Sequence, residues 1–127
     1  MMPPGVAASS PAGALLRTLW ASAIPATLQG ADFLLLDVNQ AFADLVGLPR
    51  SQLIGRDPLD LQPLEDREAN RLERVAMSAQ VARSLPQSPV QRRLMDAQGR
   101  LRWFSLVSLN VARSEEHTSE LQSRYVI

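Results

Sequence analysis

The chain has 127 residues, carries thirteen basic side chains against thirteen acidic ones, and contains no Cys. That length suits one domain, and the missing Cys excludes a disulfide framework, a thiolate metal site and a cysteine nucleophile. Zero formal charge gives no footing for a nucleic-acid surface, and no apolar run approaches the roughly 20 residues that span a bilayer. All thirteen basic residues are Arg, a bias expected of a GC-rich bacterial gene.

Residues 1–12, MMPPGVAASSPA, lack the basic start and apolar core of a signal peptide. They read as a disordered leader, and without a signal peptide a cytoplasmic location is expected, provided Met1 is the true start. Residues 13–22 set Leu15, Leu16, Leu19 and Trp20 at helical spacing, so an amphipathic helix is expected. Trp20 has two equal uses, on a partner or on its own sheet. IPATLQG is a short strand, and ADFLLLDV is a second, paired through a turn at Gly30, Ala31 and Asp32.

Asn39 stands before a helical pattern as an N-cap, because its side-chain oxygen accepts from a free first-turn N–H. Phe42, Leu45 and Val46 then share one face, Gly47 suits a left-handed helix end, and Pro49 forbids continuation. Leu53 and Ile54 form a further short turn, stopped by Gly55. Glu65 and Asp66 mark the start of a long helix near its positive dipole end. Leu72, Val75, Ala76, Ala79 and Ala82 form its apolar stripe, with Arg67, Glu68, Arg71, Glu73 and Arg74 largely off it as a solvated face. Two alternating strands follow, joined by Asp96-Ala97-Gln98-Gly99, a hairpin signal. Arg92 and Arg93 are expected to face solvent and cross-strand neighbours, and Trp103 to pack on the sheet.

The end of the chain differs from the rest. RSEEHTSELQS, from Arg113, holds the only His and looks like the translation of a common short-read sequencing adapter. The alternative is a genuine polar tail with Ser114 capping a helix. On the adapter reading, residues 113–127 are non-native, the native part has neither His nor Cys, and what naturally follows Ala112 is absent.

The segment FLLLDVNQAFADLVGLPRSQLIGRD resembles the signature of PAS domains, through Asn39, Phe42, Gly47 and Leu53-Ile54-Gly55-Arg56. PLEDRE is similar to the start of that family's long helix. RRLMDAQGRLRWFSLVSLNV is similar to its third and fourth strands, with the hairpin residues Asp96, Gly99, Arg102 and Trp103. The resemblance covers about residues 24–112, so the domain is placed at 23–112. It implies an α+β fold, an antiparallel sheet ordered 2-1-5-4-3 with helices on one face. The fifth strand would be missing, or mimicked by LQSRYVI, which is about a strand long. Without it, two central edges would lie unpaired and the chain would not fold.

The resemblance further implies a sensory or protein-interaction module of a larger bacterial signalling protein, with a histidine kinase or diguanylate cyclase downstream. A homodimer through the PAS domain and the N-terminal helix is expected. A ligand pocket would lie near Phe42, Leu45, Ile54, Leu72 and Val75, for an unknown small molecule. Relatives that form a flavin–cysteinyl adduct need a Cys, and haem-binding relatives usually supply a His from the long helix; neither is present, so no cofactor is expected. No metal site and no catalytic constellation is expected either. Two other readings stand beside this one: a fragment of an enzyme whose catalytic part lies elsewhere, and a dimerisation module with no ligand.

Overall fold

The computed structural model describes residues 11–30, 32–78, 90–111 and 121–126. Helix α1 (Pro11–Trp20) leads into strands β1 (Ala26–Gln29) and β2 (Leu35–Val38). Helices α2 (Gln40–Val46) and α3 (Arg50–Leu53), a 3-10 turn (Pro58–Leu61) and α4 (Leu64–Ser78) follow. Strands β3 (Val90–Met95), β4 (Leu101–Val111) and β5 (Leu121–Val126) complete one sheet in the order β2-β1-β5-β4-β3. Every pairing is antiparallel.

The central position belongs to β5. Its backbone pairs with β1 from Ala26↔Tyr125 to Gln29↔Gln122, and with β4 from Leu106↔Val126 to Val111↔Leu121. Leu121–Val126, of the segment expected to mimic a fifth strand, therefore occupy that place. Of the expected leader, residues 1–10 lie outside the described residues, as do Ala31 of the expected turn, Ala79 and Ala82 of the apolar stripe, and residues 113–120 and Ile127 of the tail.

Among the described residues, two apolar clusters hold the fold. In the first, Leu16, Leu19 and Trp20 of α1 pack with Ala26 and Leu28 of β1. Trp20 is thus used within the chain, where its indole N–H also donates to the Asp37 carboxylate at 3.1 Å. Leu16 and Leu19, on the helix expected to carry homodimer contacts, are likewise buried against the chain's own sheet. The second cluster joins Leu35 and Val38 of β2 to Phe42 and Ala43 of α2 and Leu53 of α3.

The β1–β2 reversal corrects the sequence reading. Phe33, expected in a strand, has φ 68° and lies in the turn, where its N–H donates to the Gly30 carbonyl. This reversal places an aromatic at positive φ, a conformation such a residue adopts rarely. The Arg74 guanidinium, 4.4 Å from the ring centroid, covers it. Gly47 behaves as expected: it ends α2 at φ 73°. A Cβ there would stand 2.9 Å from that of Ala97, because the β3–β4 hairpin docks on the end of α2, with the Ala97 N–H donating to the Leu45 carbonyl at 2.8 Å.

Candidate functional site

Asn39 does more than cap α2. Its Oδ1 accepts from the Phe42 N–H at 3.0 Å and from the Ala26 N–H at 2.9 Å. Its Nδ2 donates to the Leu19 carbonyl at 2.8 Å and the Ile24 carbonyl at 2.7 Å. All four hydrogen-bonding positions of the amide are filled. One side chain, 1% exposed, ties together the end of α1, the start of β1 and the start of α2.

The other signature residues also shape backbone. Gly55, at φ 89°, donates its N–H to the Leu35 carbonyl, and the Arg56 carbonyl accepts from the Leu35 N–H. Asp96 is buried in the β3–β4 turn, where its Oδ1 accepts the N–H groups of Arg100 and Gln98. Those bonds, that of Arg100 foremost, hold its carboxyl below the usual range despite burial. Gly99 completes the turn at φ 78°.

The five residues expected to line a pocket are not brought together. Phe42 is buried in the second cluster and Leu45 is half-buried. Ile54, Leu72 and Val75 are exposed. The reason is the orientation of α4, which corrects the reading of its charged face as solvated. Arg74 is only 8% exposed and bonds Asp57 at 2.7 and 3.3 Å. Arg67 donates to the Gln62 carbonyl, and Asn70 to the Gln62 side chain at 2.6 Å. Glu68 and Arg71 do stay exposed and pair with each other.

Strand β3 supplies the matching charges. Arg92, expected in solvent, is 5% exposed and lies 3.4 Å from Glu73. Arg93 grips Asp66 with two bonds at 2.8 and 2.9 Å, approaches Glu65 at 3.4 Å, and lies 5.7 Å from the Trp103 ring centroid. The Arg93 bonds lower the carboxyl of Asp66 and raise the guanidinium in turn. For Asp57 burial works upward, but the Arg74 hydrogen bond and the Leu59 N–H outweigh it and its carboxyl is lowered. A cleft of about 180 Å³ opens along this seam, lined by Glu65, Asp66, Ala69, Asn70, Gln91, Arg92, Arg93 and Trp103. Trp103 is 68% exposed at its rim, so it is no core residue.

The sequence held one usable signal for this seam. Two adjacent Arg residues in an alternating strand point to opposite faces, so at least one of them was bound to need a partner. The seam can hold charge and shape, but among the described residues that line it there is no nucleophile poised beside a base. Among the described residues, no group of three or more His, Cys, Asp or Glu is placed to hold a metal. Elsewhere, Oε1 of Gln29 and Nε of Arg50 find no hydrogen-bond partner, nor does Nε of Arg74, while Nη2 of Arg92 has only the 3.4 Å ion pair with Glu73.

A five-stranded antiparallel sheet in this order, with Asn39 as the joint between its second strand and the following helix, is the frame in which comparisons with known proteins place the chain. The sequence profile of the PAS fold matches residues 16–118, and the chain belongs to that family. No curated protein matches it in sequence. Among solved structures, a PAS domain from Colwellia psychrerythraea superposes with a TM-score of 0.66 at 14% identity, covering 86% of this chain and 89% of its own. A PAS domain from a two-component sensor histidine kinase gives 0.65 at 14% identity, with 87% and 89% covered. A light-oxygen-voltage domain described with a flavin analogue gives 0.67 at 18% identity, with 90% and 83% covered. At these identities the likeness concerns the fold.

Proposed function

We propose that the chain is the sensory or protein-interaction module of a larger bacterial signalling protein, cytoplasmic, with a histidine kinase or diguanylate cyclase as its effector. The histidine kinase PAS neighbour supports that parent type. The module itself performs no chemistry. It binds a small polar molecule, and differential binding biases the effector between two states.

The observation that carries the ligand reading is Gln29 Oε1, a buried acceptor without a hydrogen-bond partner on a residue 1% exposed. An unsatisfied buried polar group costs about 1–3 kcal/mol, so a polar ligand that supplies the missing bond gains affinity there. A flavin adduct does not fit: the neighbour's flavin has no thiol to meet in a chain without Cys. No helix among the described residues is long and apolar enough to cross a membrane.

Native mass spectrometry of the 127-residue chain, paired with a thermal-shift screen of small polar metabolites, tests the ligand reading. A bound mass or a raised Tm is expected, and Gln29→Leu should weaken either. No added mass and no shift from any compound would overturn it. Sequencing the genomic locus tests the effector, where an in-frame kinase or cyclase domain is expected.

A further inference from the structure

Positions 64, 68, 71 and 75 of α4 follow the four-three-four spacing that aligns side chains along one helical seam. The ends of the seam are apolar and exposed: Leu64 at 77% and Val75 at 53%, with Leu72 beside them at 58%. Its middle is charged, Glu68 paired with Arg71 at 2.6 Å, their side chains 72% and 50% exposed. The opposite side of α4 is already engaged through Asp66, Asn70 and Arg74. Apolar groups on an outward face usually mark a contact surface.

The seam reads the same in both directions when its charges are exchanged. A two-fold axis crossing α4 between Ala69 and Asn70 sets Leu64 opposite Val75 of a second helix. The same axis sets Glu68 opposite Arg71 and Arg71 opposite Glu68. Antiparallel coiled pairs build their layers in this way, and a two-fold contact requires such self-complementarity. An unrelated partner would place no such demand on the sequence.

We propose that the outward face of α4 is a self-association surface, occupied by α4 of a second copy in antiparallel order. The contact goes beyond the ligand reading and does not depend on it. It offers a route to a dimer besides α1, whose Leu16, Leu19 and Trp20 are buried within the chain. A single helix pair is small for a stable interface, so the dimer is weak and reversible, populated at about 100 µM and dissociated at about 1 µM.

Charge exchange tests this in the 127-residue chain by sedimentation velocity. Glu68→Arg alone sets arginine against Arg71 of the second copy and should weaken self-association at least about ten-fold. Arg71→Glu alone should do the same by opposing two carboxylates. An equimolar mixture of the two variants should dimerise again, because each then faces its complement. An effect confined to the pair within one helix cannot be rescued by mixing. Circular dichroism checks that each variant is folded, and Leu64→Gln, which leaves the charges alone, should also weaken the dimer. A wild-type chain that stays monomeric at about 500 µM would overturn the proposal. So would single variants that dimerise like wild type, or a mixture that remains monomeric.

Discussion

Helices α1 and α4 are both amphipathic, and they turn opposite faces to the protein. α1 buries Leu16, Leu19 and Trp20 on Ala26 and Leu28. α4 turns Asp66, Asn70 and Arg74 inward and leaves Leu64, Leu72 and Val75 in water. Each follows what its neighbours offer. β1 gives α1 an apolar surface, whereas the 3-10 turn and β3 give α4 Asp57, Gln62, Arg92 and Arg93. Hydrophobic periodicity predicts which face of a helix is apolar; which face is inside depends on the partner.

Strand β5 is the joint between the two halves, pairing β1 on the α1 side and β4 on the side of α4. Removing residues 113–127 should have the largest effect on the comparison, because it erases the joint. Two interior strand edges would lose their partners at about 1–3 kcal/mol per buried group, against a typical total of about 5–15 kcal/mol. The shortened chain should show no cooperative melt by circular dichroism and should aggregate. A monomeric shortened chain with a sharp transition would show that β5 is dispensable. The measurement holds whether those residues are natural or derived from an adapter, as we propose.

Asn39→Ala comes next. A simple cap loss costs about 1 kcal/mol. Here the substitution strands the Ala26 and Phe42 N–H groups and the Leu19 and Ile24 carbonyls. The expected cost is about 3 kcal/mol or more, read from urea denaturation. Hydrogen exchange should show α1 loosening before α4, since Leu19 belongs to α1. A loss near 1 kcal/mol would reduce Asn39 to a cap.

These two cases show how far the sequence carries. Asn39, Gly47 and Gly99 were legible because capping, left-handed helix ends and tight turns are local demands. The strand order came with the resemblance to the PAS family, which left open whether the place of the fifth strand would be filled. The inward face of α4 was not legible, because its pairs join distant residues: Arg74 with Asp57, 17 apart, and Arg93 with Asp66, 27 apart. A helical wheel sees only one helix. Leu72 and Val75, expected beside a pocket, are exposed for the same cause.

Acid should separate the two regions more gently. Asp57, Asp66 and Asp96 all have folded-state carboxyls below their ordinary 3.8. Their contribution is therefore complete above that value and is lost as pH falls through the folded values. Two of the three anchor the surroundings of α4, while the contact of α1 with β1 is apolar. Between pH 7 and pH 3, urea midpoints should fall, by less than Asn39→Ala causes. Amides of α4 should lose exchange protection before those of α1. The reverse order would contradict the ion-pair account of α4.

The smallest effect is expected where the sequence predicted a large one. Leu72 was read as part of the buried stripe of α4, and burial would make its loss costly: truncating a core leucine takes about 2–5 kcal/mol. Leu16, fully buried under α1, should pay that cost as Leu16→Ala. Leu72 is 58% exposed, so a polar replacement removes little contact and leaves no cavity. Leu72→Gln should move the stability of the monomer by no more than about 0.5 kcal/mol. Glutamine is as good a helix former as leucine, which keeps propensity out of the result. The measurement belongs at about 1 µM, where α4 pairing between copies would not contribute. A loss of 2 kcal/mol or more by urea denaturation would mean that α4 buries its apolar stripe after all, and that its arginines face water.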